Sequence, residues 1–297
     1  MKTLSILIKR NVKLYFKDKG MFFTSLITPM ILLVLYATFL KNVYRDSFLS
    51  ALPQGVQVAE ELINGLVGGQ LVSSLLAVSC VTVAFCSNFL MVQDKANGSI
   101  KDLRISPIKA STLSFGYYIA TLLSTLAICL AAMGISLLYL GAVGWYLSAS
   151  DVLYLALDVV LLVFFGTALS SVINFFLSSQ GQISAVGSIV SSCYGFICGA
   201  YMPISSFGEG LQTVLSFLPG TYGTSLVRNH AMQGVLSEMQ AKGIPAFVIE
   251  EFRDVLDCNI YFFGEAVDVP VMYLILGGTV AVLVGAYIAI NAAKKKI

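Results

Sequence analysis

Residues 62–93 read LINGLVGGQLVSSLLAVSCVTVAFCSNFLMVQ and contain no charged side chain. A helix needs about 20 apolar residues to cross the hydrocarbon core of a bilayer, so this segment is long enough to span it. Asn64 and Gly65 form a dipeptide typical of turns, which predicts that the helix begins just after them. The segment therefore predicts a membrane-spanning helix over residues 66–92.

Other charge-free stretches lie on both sides of this segment. The stretch at residues 159–208 is long enough for two helices, and the polar cluster at 178–182 marks the break between them. The sequence therefore predicts an all-α membrane protein, a single domain over residues 1–297. The six predicted spans are residues 21–40, 66–92, 113–140, 152–177, 183–204 and 270–293.

The overall composition agrees with this fold class. Of the 297 residues, 57% are hydrophobic and 11% are charged, whereas a soluble domain carries about 25% charged residues. This balance excludes the ordinary soluble classes. Five of the six cysteines lie in apolar runs, and only Cys258 lies in a polar stretch, so we expect no disulfide framework.

The charges divide between the two sides of the predicted membrane. Thirteen of the 18 Lys and Arg residues fall in segments 1–20, 93–112 and the C-terminal tail, whereas 12 of the 16 acidic residues fall on the opposite side. Because cytosolic segments are rich in Lys and Arg, both termini are predicted to be cytosolic and segment 205–268 to be extracellular.

The first 20 residues predict an interfacial helix. Apolar residues recur at roughly helical spacing, and Lys9, Arg10, Lys13 and Lys17 lie between them. A basic amphipathic helix of this kind lies on the cytosolic membrane surface. The alternative is a solvated leader that only sets the topology.

The sequence carries no motif for nucleotide or metal chemistry. No Gly is followed by Lys, so the chain has no phosphate-binding loop, and His230 is the only histidine. We therefore expect no catalytic residue, cofactor or metal site in this chain, and His230 is interpreted as a structural or interfacial residue. The chain by itself is not predicted to be an enzyme.

Small residues recur every fourth position on the last two predicted spans. Such spacing lets helix backbones approach closely within a membrane. The first stripe is Gly187, Ser191, Gly195 and Gly199, and the second is Gly277, Ala281, Gly285, Ala289 and Ala293. Each stripe is explained equally well by packing within the bundle or by contact with a second chain.

A few polar residues lie inside the predicted spans. Asp158 is the only charged one, and it is about 10 Å inside the outer boundary at 1.5 Å per residue. Buried ionisable groups in membranes usually face the bundle interior or a wet cavity. Asp158 is thus a candidate substrate contact, although it could also reach the outer interface. With it, Gln70, Asn88 and Asn174 are candidate residues of a substrate pathway.

The segment after the fifth predicted span contains short apolar helices. Ser206 and Glu209 fit a capping box, and the apolar stripe that follows ends at Pro219 and Gly220. Helices too short to span predict a re-entrant hairpin that enters from outside.

Three stretches together resemble the permease subunit of type-2 ATP-binding-cassette (ABC) exporters over nearly the whole chain. They are RNVKLYFKDKGMFFTSLITPMILLVLY (10–36), QDKANGSIKDLRISPIKASTLSFG (93–116) and CGAYMPISSFGEGLQTVLSFLPGTYGTSLVR (198–228). The first resembles the family's connecting helix and first span, the second its coupling loop, and the third its re-entrant hairpin.

The resemblance implies partners and roles. Two permease chains, identical or related, would pair over two separate cytosolic ATPase subunits, which would bind ATP and Mg. Loop 93–112 would carry the coupling contacts, and the 187–199 stripe would face the second permease. The implied coupling residues are Asp94, Lys95, Gly98, Ser99, Lys101, Asp102, Leu103, Arg104, Ser106 and Pro107; the implied hairpin residues are Pro203, Glu209, Pro219 and Arg228.

The resemblance also implies ATP-driven export across a plasma membrane, in a bacterium. The expected cargo is an amphipathic drug, antimicrobial peptide or lipid-like molecule, because the predicted spans are mostly apolar. Two alternatives stay open: an ion-gradient-driven transporter or channel that uses Asp158, and export of sodium or glycans by the same ABC architecture.

Overall fold

The computed structural model describes residues 2–52, 58–105 and 108–293, and these are almost entirely helical. The helices are α1 (Lys2–Lys17), α2 (Lys19–Leu35), α3 (Lys41–Ala51), α4 (Glu60–Ala96), α5 (Ser99–Ile105), α6 (Ala110–Val143), α7 (Ala149–Phe176), α8 (Gln180–Ile197), α9 (Glu209–Ser216), α10 (Pro219–Ala241), α11 (Ala246–Val255) and α12 (Val269–Ala293). A π-helical segment, Tyr36–Leu40, joins α2 and α3 into one continuous helix. Strands β1 (Tyr261–Phe262) and β2 (Glu265–Ala266) form a small antiparallel hairpin.

Helix α4 is the centre of the bundle. It packs against α2, α6, α7, α8 and α10, and nearly all of its residues are buried. Three of its hydroxyl groups are accommodated locally: Ser73, Ser79 and Thr82 each donate a hydrogen bond to a carbonyl three or four residues earlier. A polar group bonded within its own helix can be buried at low cost.

The predicted start of this helix was wrong. Helix α4 begins at Glu60, and Gly65 lies inside it instead of in a turn. A Cβ atom at Gly65 would lie 3.0 Å from Tyr146 and 3.1 Å from Val235, and one at Gly69 would lie 3.0 Å from Met232. These glycines therefore allow α10 to approach α4, and that packing outweighs their local turn preference.

Among the described residues, five helices are long and apolar enough to cross a membrane. They are Lys19–Ser50, Glu60–Ala96, Ala110–Val143, Ala149–Phe176 and Val269–Ala293. They coincide with five of the six predicted spans, and the first continues beyond its predicted end at residue 40. The remaining predicted span, 183–204, corresponds to α8, which is 18 residues long, ends at Ile197 and is not one of the five.

Helices α9 and α10 form a hairpin beside α7. A Cβ atom at Gly223, near the start of α10, would overlap Leu162 at the middle of α7. One at Gly234 would overlap the backbone of Tyr146, just before α7 begins. Helix α10 therefore runs along the first half of α7, from the middle of that helix to its start.

The predicted capping box of this hairpin was wrong. Helix α9 begins at Glu209 with Gly208 at its N-cap and no capping side chain. Ser206 instead ends a short 3-10 turn, Ile204–Ser206, which moves its side chain out of capping position.

Candidate functional site

A groove of about 1,190 Å³ runs between two sides of the bundle. One wall is the continuous helix α2–α3, from Ile27 to Phe48; the other is α8 with the turn that follows it, from Ser188 to Ser206. Residues of the α9–α10 hairpin and of the segment 254–261 complete it. The walls are mainly apolar and aromatic, with serine hydroxyls from both sides, a composition typical of sites for small organic molecules.

The stripe predicted on α8 lies beside this groove. Ser191 lines the groove, whereas Gly187 faces Phe89 of α4, Gly195 faces the Tyr201 ring and Gly199 faces Ile204. Gly199 also has a φ of 74°, a conformation in which other residues are strained. Three of the four small residues thus make close contacts within the chain. The second stripe differs, since no neighbouring atom of the described residues lies within 4 Å of a Cβ atom at Gly277 or Gly285.

The four polar residues predicted for a substrate pathway lie inside the bundle. Gln70, Asn88, Asp158 and Asn174 are each at most 1% exposed, and none of them lines the groove. Asn88 donates hydrogen bonds to Ser170 and Ser171 of α7, at 3.1 and 3.0 Å. These two bonds join α4 to α7, so the role of Asn88 in the structure is to hold the two helices together.

A polar cluster joins α1 to the C-terminal end of α4. Arg10 donates two hydrogen bonds to Asp94, from Nη1 to Oδ2 at 2.8 Å and from Nη2 to Oδ1 at 3.3 Å. The Tyr117 hydroxyl of α6 donates to the same carboxylate at 2.5 Å. The bond to Asp94 raises the pKa of Arg10. Asp94 is only 7% exposed, so its carboxylate serves contacts between three helices instead of an external surface.

Lys95, the next residue, caps another helix. Its Nζ donates to the carbonyl oxygens of Asn174, Phe175 and Leu177 at 3.1, 2.7 and 3.0 Å. The last carbonyls of a helix lack partners within it and carry partial negative charge, so an ammonium group there stabilises the end of α7.

The remaining predicted coupling residues form or flank the short helix α5. Gly98 precedes it with a φ of 80°, and Ser99, Leu103 and Arg104 lie within it. Lys101 and Asp102 are exposed, and Ile105 at its end is 84% exposed. Ser106 and Pro107 lie outside the described residues.

The α9–α10 hairpin is held by a buried ion pair. Arg228 of α10 is 1% exposed, and its Nη1 donates to Asp257 Oδ2 at 3.2 Å while Nη2 donates to the Gly199 carbonyl. The same carboxylate accepts from the backbone N–H groups of Ile204 and Ser205. The pair therefore joins α10, the turn after α8 and the end of α11.

The other predicted hairpin residues occupy simpler positions. Pro219 is the first residue of α10, where its fixed φ and missing N–H suit a helix start. Glu209 is exposed in the first turn of α9, and Pro203 precedes the 3-10 turn and lines the groove.

A second polar cluster surrounds Asp158. His230 Nδ1 lies 2.6 Å from Asp158 Oδ2, and the Tyr273 hydroxyl donates to Oδ1. The His230 ring also stacks on Tyr154 at 5.0 Å between centroids. The sequence predicts a structural or interfacial role for His230. It gave no signal for this cluster, because its members come from three helices far apart in the chain.

Cys258, the cysteine in the polar stretch, is buried and unpaired. Burial raises the pKa of its thiol to about 12, which makes it unreactive at neutral pH. Among the described residues, no group of three His, Cys, Asp or Glu side chains is arranged to hold a metal ion.

The chain matches the family model for the membrane domain of ABC-2 type transporters over residues 2–231. The match covers more than half of the chain and shows that the protein belongs to this family. It is a transmembrane permease component of an ABC transporter, and not the ATPase. Permeases of this family work with cytosolic ATPase partners, generally as dimers. None of the curated proteins compared with the chain matches it.

Proposed function

We propose that this chain is one half of an ATP-driven exporter for amphipathic compounds, such as drugs, antimicrobial peptides or lipid-like molecules. The observation that carries this proposal is the groove between α2–α3 and α8, which is large, mostly apolar and lined by serine hydroxyls from both walls. In this proposal the pathway follows the groove instead of the four buried polar residues named from the sequence.

The proposed arrangement in the membrane has six spans and both termini in the cytosol. Helix α8 is the remaining span, since 18 residues reach about 27 Å at 1.5 Å per residue. Helices α9 and α10 are a re-entrant hairpin from the outer side, supported by the position of Gly223 beside the middle of α7. We place the protein in the plasma membrane of a bacterium, as the domain 1–297.

The proposed coupling path begins at α5. Two cytosolic ATPase subunits, which bind ATP and Mg, would press on its exposed face at Lys101, Asp102 and Ile105. The Arg10–Asp94 pair and the Lys95 cap would pass that movement to α1, α6 and α7, because a stiff contact between packed helices moves them together.

The coupling path predicts that Ile105→Glu weakens ATPase binding. Ile105 would become buried in the proposed contact, and an unpaired charge buried there costs several kcal/mol, so co-purification of the ATPase should fall by tenfold or more. The matched control is Phe263→Glu, the same kind of change at a 74% exposed residue in the segment after α11. Equal recovery of the ATPase with both variants would contradict the coupling role of α5.

Ion-gradient-driven transport is the second candidate, favoured by the Asp158–His230–Tyr273 cluster. Carboxylate–histidine pairs within membranes occur in proton relays. In reconstituted vesicles, ATP-driven transport that survives an ionophore supports the exporter, whereas gradient-driven transport that is lost in Asp158→Asn supports the second candidate. Asp151→Asn on the same helix is the control. The other alternative, ATP-driven export of sodium or glycans by the same ABC architecture, is tested by measuring transport of these substrates in the same vesicles.

A further inference from the structure

The groove carries an asymmetric charge. Among the described residues, its walls include two carboxylates, Asp254 and Asp257, and no Lys or Arg side chain. Asp257 is neutralised by Arg228 and by two backbone N–H groups. Asp254 is therefore the carboxylate in the groove whose charge is not balanced within the described part of the chain.

The surroundings of Asp254 leave its charge uncompensated. Both of its hydrogen bonds come from neutral donors, the Asn259 amide at 2.8 Å and the Tyr261 hydroxyl at 2.9 Å, and both go to Oδ1. Oδ2 accepts none from the residues that the structure describes. The neighbouring Arg253 is directed elsewhere, to Asn229 and Gln233 at 3.0 and 2.7 Å. The bond to Asp254 raises the pKa of Tyr261, as expected for a hydroxyl beside a carboxylate.

The walls of the groove include six aromatic side chains. Faces of aromatic rings attract cations, and cages of such rings with a nearby carboxylate recognise quaternary ammonium groups. The aromatic lining residues are Phe39, Tyr44, Phe48, Phe196, Tyr201 and Tyr261. Most of the aromatic rings lie on the α2–α3 helix and on α8 with the turn after it, whereas Asp254 lies on α11. The rings and the carboxylate are therefore separate observations, and both favour a positively charged ligand.

The shape of the groove fits a molecule with a long apolar body. Its lining along α2–α3 extends from Ile27 to Phe48, which is about 30 Å at 1.5 Å per residue. Asp254 lies in α11, on the side of the groove where α3 ends, since Phe252 of the same helix packs against Phe48 at 5.8 Å between ring centroids. A bound molecule would place its apolar body along α2 and its head group near Asp254.

We propose that the groove selects lipophilic cations, molecules with an apolar body and an amine or quaternary ammonium head that pairs with Asp254. This inference rests on the proposed export function and names its substrate class. Neutral and anionic amphipaths of the same size fit the apolar walls equally well, but they lack the positive charge that complements the carboxylate.

The test uses three fluorescent probes with one apolar body and different charges. These are diphenylhexatriene, its trimethylammonium derivative and its propionate derivative. The full chain is reconstituted with its ATPase in vesicles of digalactosyldiacylglycerol, a lipid whose head group carries no ammonium group, and ATP-dependent extrusion is followed as the loss of membrane-bound fluorescence. We expect the cation to move about tenfold faster than the anion.

Two variants separate the contributions of the carboxylate and of the rings. Asp254→Asn keeps the size of the side chain and should bring the cation rate close to that of the neutral probe. Phe196→Leu, at an exposed ring of α8, should lower the cation rate more than the neutral rate. Glu251→Gln, an exposed carboxylate on α11 outside the groove, is the matched control and should leave the preference unchanged.

The outcomes distinguish this inference from the proposed function. Equal rates for all three probes, or a cation preference that survives Asp254→Asn, would overturn the cation inference and leave amphipath export in place. No ATP-dependent movement of any probe by an assembled, ATP-hydrolysing complex would overturn the proposed function and this inference with it.

Discussion

At the scale of single residues, the Arg228–Asp257 pair is the clearest determinant of the hairpin. Both side chains are nearly fully buried, at 1% and 4% exposure, and the carboxylate also satisfies two backbone N–H groups. Removing one member of a buried pair leaves an uncompensated charge, which costs about 3–5 kcal/mol.

We therefore predict that Arg228→Met strongly lowers the thermal midpoint of the purified chain. The double variant Arg228→Met/Asp257→Asn should recover part of the loss, because it leaves no unpaired charge and Asn tolerates the positive φ of position 257. Lys242→Met, which removes the exposed pair with Glu238 at 3.6 Å, is the control and should change little. Similar midpoints for Arg228→Met and Lys242→Met would show that the buried pair does not hold the hairpin.

A second prediction at this scale concerns the Arg10–Asp94 pair. Arg10→Ala should lower substrate-stimulated ATP hydrolysis several-fold while the complex still assembles, because the pair passes movement between helices in the proposed path and Asp94 itself is buried. Lys9→Ala, an exposed neighbour on the same helix, should behave as the unaltered chain. The check is ATPase activity with and without substrate; unchanged stimulation in Arg10→Ala would argue against the proposed path.

At the scale of elements, glycines set how closely α10 approaches its neighbours. A Cβ atom at Gly234 would overlap the backbone carbonyl of Tyr146, which cannot move aside as a side chain can. Gly210 in α9 has open space around it. The two glycines lie in the same hairpin, so they form a matched pair.

We predict that Gly234→Ala displaces α10 and destabilises the protein by about 1–3 kcal/mol. Gly210→Ala should be neutral or slightly stabilising, since alanine favours helix over glycine. Thermal unfolding of both variants in detergent is the measurement. A Gly234→Ala protein as stable as Gly210→Ala would mean that the contact with residue 146 is looser than described.

At the scale of the whole molecule, the face beside the groove is where we expect the second permease. Cys193 of α8 is exposed, whereas the other five cysteines are buried. For a homodimer paired through this face, a bifunctional thiol reagent should link two chains in native membranes, and Cys193→Ser should abolish the product. A cysteine at Leu138 of α6, 77% exposed on a different helix, serves as the comparison in the Cys193→Ser background. Cross-linking through position 138 but not through position 193 would show that the two chains pair through the face that contains α6, and not through the face beside the groove.

The sequence by itself determined the membrane class, the family and the positions of five helices that are long and apolar enough to cross a membrane. These depend on runs of about 20 apolar residues and on charge placement, which are local properties of the chain. It also indicated the short helices after α8, through Pro219 and Gly220. The start of α4 could not be predicted, because the turn preference of Asn64 and Gly65 is overridden by packing of α10 and Tyr146.

Only the tertiary structure decided which polar groups meet and where the groove lies. Arg10 meets Asp94, Asp158 meets His230 and Tyr273, and Arg228 meets Asp257 across separations that no periodicity encodes. Helix α4 is buried on nearly every side, so its sequence has no separate polar and apolar faces. The sequence pattern therefore cannot show which helices pack against which side of α4. The lining of the groove and the uncompensated charge of Asp254 follow from that packing, because side chains distant in the chain form one surface only when the helices are assembled.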